Sequence, residues 1–202
     1  MFKRNPRFAM DGLFAPTTAV ATILLLLPFG TYADEITPIS RAIDLDGDGL
    51  AEIAQLRGLD ALELKIFTHD GTVLLASGSD IGWRNGPTDE PRLDVTSTGS
   101  LAVISEHLNG PSKYSATLTV AFRNESYRIV GVTYEQWGLD FADPVTGDMR
   151  GRRCDMNLLT GTGLSNFPGN DETKARSIEF FAPVLNDWRW KMVEEICGQG
   201  AE

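Results

Sequence analysis

Short segments that alternate apolar and polar residues, separated by turn-forming residues, constrain the fold of this sequence more than any other feature. Ala61–Phe67 alternates in this way, and His69-Asp70-Gly71 provides a tight turn into the apolar segment Thr72–Ala76. Successive side chains of a strand point to opposite faces, so alternation is typical of a strand with one buried face. The two segments therefore predict an antiparallel hairpin.

The same pattern recurs along the chain, whereas helical periodicity is scarce. Further strands are predicted at Ile53–Arg57, Leu101–Ser105, Ser115–Arg123, Tyr127–Tyr134 and Arg153–Leu159. Ser77–Arg92 is rich in Gly, Pro, Asp and Asn and is predicted to be a loop. The best helical candidate is Asn186–Ile196. We predict a single, mainly β domain with antiparallel strands, arranged as a sandwich or partial barrel, with a weak C-terminal helix.

The N-terminus has the composition of a cleavable signal peptide. Lys3, Arg4 and Arg7 precede the apolar run Ala19–Leu27, and Thr31-Tyr32-Ala33 places small residues where signal peptidase cleaves. The apolar run is shorter than the roughly 20 residues of a membrane-spanning helix, although an uncleaved anchor is the alternative. We predict cleavage after Ala33, which leaves residues 34–202 as one exported domain.

The charge balance narrows the possible partners. The chain has 18 Lys and Arg residues against 28 Asp and Glu residues, a formal net charge of −10. Nucleic-acid binding requires clustered basic residues and is therefore not expected.

The leader indicates the location of the protein. We predict a periplasmic or secreted protein with no stable membrane insertion after cleavage.

The two cysteines, Cys154 and Cys197, both lie in the predicted mature chain. In an oxidising compartment, two thiols most economically form one disulfide. The alternatives are that the two cysteines bind a metal ion or that one of them is a catalytic thiol. A metal site, however, usually has more Cys or His residues at close spacing. The only histidines are His69 and His107.

The residues with the clearest chemistry lie in one loop, Asp44-Leu-Asp46-Gly-Asp48-Gly49-Leu50-Ala-Glu52. Carboxylates at its first, third and fifth positions converge when the chain curls tightly, and Gly49 allows the sharp turn. Oxygen ligands in this order are typical of calcium. The loop departs from an EF-hand because Gln55 occupies position 12 and no helical pattern flanks it. A solvated acidic turn is the alternative.

Asp44–Arg57, an acidic loop followed by an apolar strand, resembles the calcium loop of FG-GAP/VCBS-type β repeats. The resemblance implies that Asp44, Asp46, Asp48 and Glu52 are side-chain ligands and that Leu50 is a carbonyl ligand. Glu52 replaces the more usual Asp at the ninth position. No second copy of the loop exists in the chain, so a propeller of several blades is excluded. The implied calcium ion is structural.

A looser resemblance covers Phe122–Tyr134 and Met156–Gly161. These segments are similar to uncharacterised exported bacterial proteins that combine one such acidic loop with a bulky strand, a turn and an Asn-Leu-Leu-Thr-Gly pattern. That resemblance implies a periplasmic location but no activity.

Three functions remain open from the sequence. The first is a non-enzymatic periplasmic binding or structural module, stabilised by calcium, that recognises a protein or an envelope component. The second is an inhibitor or immunity-type protein that caps an enzyme with a rigid loop, either Ser77–Arg92 or Asp140–Arg150. The third is a hydrolase that uses the loop carboxylates Asp140, Asp143 and Asp148.

Overall fold

Two antiparallel sheets form the molecule. The computed structural model describes residues 37–84, 89–138, 145–146, 151–167, 170–179 and 181–198, all within one compact unit, Glu35–Glu202. The predicted signal peptide and the three loop carboxylates Asp140, Asp143 and Asp148 lie outside the described residues.

The first sheet has four strands in the order β1–β2–β3–β4. They are β1 (Ile39–Ile43), β2 (Glu52–Arg57), β3 (Glu63–Phe67) and β4 (Leu74–Gly78). The β3–β4 connection is the turn predicted at His69-Asp70-Gly71, closed by a hydrogen bond in which the Thr68 N–H donates to the Val73 carbonyl (2.9 Å). The hairpin is therefore confirmed, with its second strand two residues later than predicted.

The second sheet has seven strands in the order β11–β10–β9–β8–β7–β6–β5. They are β5 (Arg92–Val95), β6 (Leu101–His107), β7 (Ser112–Arg123), β8 (Ser126–Gly138), β9 (Arg152–Asn157), β10 (Thr162–Phe167) and β11 (Asn170–Ser177). Each strand in both sheets pairs with its sequence neighbours, so the mainly β, antiparallel prediction is confirmed. The two sheets correspond to its sandwich form.

The core combines alternate residues from both sheets. Leu56, Leu64 and Ile66 from the first sheet and Leu118 and Ile129 from the second belong to one buried cluster. Full burial of each such side chain is worth roughly 1.5–3 kcal/mol. Packing of one face of each sheet explains why apolar alternation predicted these strands.

The chain after β11 closes the side of the sandwich next to β8. The Ile129 N–H donates to the Pro183 carbonyl (3.0 Å), and a 3₁₀ turn, Leu185–Asp187, buries Leu185. The helix α1 spans Lys191–Gly198. The predicted helix start at Asn186 was wrong. Trp188, which is fully buried, has an extended backbone and separates the 3₁₀ turn from α1.

A disulfide joins Cys154 of β9 to Cys197 of α1 across 43 residues of sequence, as predicted. Both cysteines are buried. Constraint of the unfolded chain by a loop of this length is worth roughly 4 kcal/mol in the loop-entropy estimate. The bond therefore holds the C-terminal helix on the second sheet.

Candidate metal centre

The acidic loop connects β1 to β2, between the paired residues Ile43 and Glu52. Strand pairing therefore fixes both ends of the loop. Within it, Leu45 is buried and belongs to the core cluster, whereas Asp44, Asp46 and Asp48 are exposed. The loop is thus fixed at its base and open to solvent at its tip.

The carboxylates of Asp44, Asp46 and Asp48 each offer an oxygen, and these three oxygens lie within 4.8 Å of one another. Backbone N–H groups hold them in place. Asp44 accepts from Gly47 (2.8 Å) and Gly49 (3.1 Å), Asp46 accepts from Asp48 (3.0 Å), and Asp48 accepts from Leu50 (2.7 Å). The loop therefore positions its carboxylates through its own backbone.

Two glycines make this curl possible. Gly47 and Gly49 have φ values of +81° and +89°, a region that residues with a Cβ rarely adopt. A Cβ at either position would meet no atom within 4 Å. The requirement for glycine is therefore conformational and not steric.

The donor set fits a hard divalent cation. Three carboxylates close together repel one another unless a positive charge compensates them. Calcium takes six to eight oxygen ligands in flexible geometry, and water can supply those that the protein does not. The exposed tip of the loop leaves room for such waters.

Glu52 lies apart from the three aspartates. It is only 3% exposed; its Oε2 accepts from the Leu45 N–H (2.8 Å) and its Oε1 from the Tyr127 hydroxyl (2.8 Å). Glu52 thus connects the base of the loop to β8 in the opposite sheet. A ligand role for Glu52, and for the carbonyl of Leu50, stays a prediction.

Tyr127 is held as a hydrogen-bond donor. Burial, and secondly the hydrogen bond to Glu52, raise the pKa of Tyr127 well above its usual range, and the nearby charges of Asp46 and Asp48 add to this effect. The tyrosine therefore stays protonated, and able to donate to Glu52, at any physiological pH.

A cleft of about 460 Å³ lies beside the loop. Asp46 lines it, together with Leu75 and Ala76 of β4. The opposite walls come from the β7–β8 hairpin, through Phe122, Glu125, Ser126 and Tyr127, and from Val184 and Asn186 near the 3₁₀ turn. The acidic loop and a concave surface are therefore adjacent.

Asp70 has a structural role in the turn at His69-Asp70-Gly71. The Asp70 carboxylate accepts from the Thr68 hydroxyl (2.6 Å) and from the Thr72 N–H and hydroxyl. The Thr68 hydrogen bond first, and those from Thr72 next, lower the pKa of Asp70 to about 2. The carboxylate therefore stabilises the hairpin connection.

Sequence reasoning missed a contact between a carboxylate and an imidazole, Asp89 with His107. The buried Asp89 carboxylate lies 3.3 Å from His107 Nδ1 and accepts from the Asn109 amide (3.1 Å), while His107 stacks on Tyr114. Asp89 precedes β5 in a segment without periodicity, so only the fold brings it to His107. The hydrogen bond from Asn109 holds Asp89 next to the end of β6.

In the described part of the chain, no helix is long and apolar enough to cross a membrane. The sequence matches no family model and no curated protein, and the structure matches no solved structure.

Proposed function

We propose that the protein is a non-enzymatic, exported binding or structural module whose Asp44–Leu50 loop binds one calcium ion. The observation that carries the proposal is the convergence of three aspartate carboxylates within 4.8 Å in a loop fixed by strand pairing. The leader predicted from the sequence supports export to the periplasm, and the acidic charge disfavours nucleic acid as the partner.

The ion has a structural role in this proposal. It neutralises the repulsion among Asp44, Asp46 and Asp48 and so favours the curled loop over extended alternatives. Because Glu52 connects the base of the same loop to Tyr127 of the opposite sheet, order in the loop extends to the contact between the sheets. Calcium is therefore expected to stabilise the whole fold.

Thermal unfolding of the oxidised protein in EDTA and in excess calcium tests the proposal. At 100 times the dissociation constant, calcium adds roughly 2.7 kcal/mol, which raises Tm by about 5–10 °C for a domain of this size. Asp48→Asn should abolish the rise. Asp60→Asn, which changes an exposed carboxylate outside the loop, should preserve it.

Two results would contradict the proposal. An equal Tm rise in Asp48→Asn would place the ion elsewhere. An equal rise with magnesium at the same concentration would show a site without calcium preference, since magnesium demands stricter octahedral geometry.

A further inference from the structure

Sheet edges expose unpaired backbone groups, and proteins commonly protect them with charged residues. Three of the four edge strands in the described sheets carry charges. Arg41 of β1 and Asp94 of β5 lie 3.8 Å apart where these two edges meet, and β11 contains several charged residues. The fourth edge, β4, reads Leu-Leu-Ala-Ser-Gly and has none.

The β4 edge also exposes consecutive apolar side chains. The pairing of β3 with β4 shifts between Ile66 and Phe67, which inserts an extra residue in β4 and breaks the alternation of its side chains. Val73, Leu74 and Leu75 are 54%, 49% and 42% exposed. Apolar surface next to a concave site marks an interaction surface.

The cleft beside β4 has both acidic and apolar residues in its lining. Asp46 and Glu125 contribute carboxylates to its lining, and Leu75, Phe122 and Val184 contribute apolar surface. Among the residues that the structure describes, no basic side chain lines the cleft. Glu125 forms no ion pair with any residue that the structure describes. An occupant with a positive charge and an apolar side chain matches this lining.

We propose that β4 and the adjoining cleft bind an extended peptide segment of another protein that carries an apolar side chain next to a Lys or Arg. The peptide backbone lies along β4 between Leu74 and Ala76, as in strand-addition complexes. The Gly78 end of β4 is covered by Leu185 of the 3₁₀ turn, whose carbonyl oxygen would lie 2.7 Å from a Cβ on Gly78. The apolar side chain packs on Leu75 and Phe122, and the basic side chain pairs with Glu125. This inference goes beyond the proposed calcium site and does not require the ion.

A second copy of the protein is a poor occupant for the same cleft. Two β4 edges pairing with each other would bring no basic residue to Glu125, because β4 contains none. Each copy also has a net charge of −10, which opposes self-association. Charge complementarity therefore favours a basic segment of a different protein.

The backbone at Glu125 agrees with this role. Asn124 and Glu125 form the two-residue β7–β8 turn with φ values of +51° and +59°. Turns of this kind favour Asn followed by Gly, so Glu at the second position is the less stable choice. Its side chain lines the cleft.

The test is selection of a phage-displayed library of linear dodecapeptides on the full-length, oxidised protein in EDTA. Enriched peptides are synthesised, and their dissociation constants are measured by fluorescence anisotropy. Because EDTA is present throughout, the result is independent of whether the loop binds calcium. We expect enriched peptides to share an apolar residue next to Lys or Arg.

Two variants and a control locate the binding site. Leu75→Lys should weaken binding at least about tenfold by removing an apolar anchor and adding a like charge, and Glu125→Lys should weaken it about fivefold or more. Leu164→Lys changes a comparably exposed leucine on β10 and should leave binding unchanged. Unfolding curves confirm that all three variants fold.

Three outcomes would overturn the inference: no enriched motif, an acidic motif, or equal binding by wild type and both variants. Sedimentation equilibrium adds a fourth. A wild-type dimer that Leu75→Lys dissociates would assign the β4 edge to a second copy.

Discussion

The hydrogen bond between Tyr127 and Glu52 offers a direct test of how the two sheets are joined near the acidic loop. Tyr127→Phe removes the hydroxyl that donates to Glu52 Oε1 at 2.8 Å and leaves the ring in place. Glu52 is only 3% exposed, so water does not readily replace the lost donor. A hydrogen bond to a charged group is worth about 1.5–3 kcal/mol. We therefore expect a loss of about 2 kcal/mol.

Urea denaturation in EDTA measures this loss as a lower midpoint with an unchanged slope. The matched control is Tyr134→Phe, because the Tyr134 hydroxyl has no hydrogen-bond partner in the described residues. A double-mutant cycle with Glu52→Gln should show that Tyr127→Phe costs less when the carboxylate is absent. If Tyr127→Phe and Tyr134→Phe destabilise the protein equally, the reasoning is refuted.

The pH dependence provides an independent check. The folded protein raises the pKa of Tyr127 above its usual value near 10, so the unfolded state releases this proton first as pH rises. The resulting stability is fully present below pH 10 and is lost progressively above it. The difference in unfolding free energy between wild type and Tyr127→Phe should therefore shrink above pH 10. A constant difference would show that the Tyr127 hydroxyl does not stabilise the fold in its protonated form.

Two further predictions concern the ends of the molecule. Replacing both cysteines, Cys154→Ser with Cys197→Ser, should lower the unfolding free energy by about 4 kcal/mol in urea denaturation; a loss below about 1 kcal/mol would contradict the loop-entropy estimate. The pKa of Asp70, lowered to about 2, gives stability that is present above the usual value near 4 and is lost as pH falls towards 2. Between these pH values, the unfolding free energy of Asp70→Asn should therefore fall less steeply with decreasing pH than that of the wild type. An equally steep fall would show that Asp70 does not contribute to the acid sensitivity.

The sequence predicts the central strands well because burial of one face creates alternation. In Ala61–Phe67, Leu62, Leu64 and Ile66 belong to the buried core. In Ser115–Arg123, Leu118 and Val120 do so as well. The peripheral strands β10 and β11 escaped prediction for the opposite reason. β11 contains mostly charged and small polar residues. Its residues from Thr173 to Ser177 are exposed or half-buried, so hydrogen bonds to β10, and not burial, set the pairing there. Such a strand has no alternation of apolar residues that would predict it from the sequence.

The candidate site also has one part that the sequence predicts and another that it does not. The clustering of Asp44, Asp46 and Asp48 follows from spacing within one loop, so the sequence alone could predict it. The contact of Glu52 with Tyr127 joins residues 75 positions apart and depends on how the two sheets pack. Local spacing carries no information about such a partner, and the adjoining cleft is hidden from sequence reasoning for the same reason.

The strand order has a consequence for how the chain folds. Both sheets are uninterrupted meanders in which each strand pairs only with its sequence neighbours. Short connections close at low entropic cost, and local contacts favour fast folding. The long-range contacts, including β1 with β5 and the C-terminal segment with β8, join residues far apart in the chain and so cost more loop-closure entropy. The slow step should therefore be the docking of two preformed sheets and the C-terminal segment, not the pairing of any single strand.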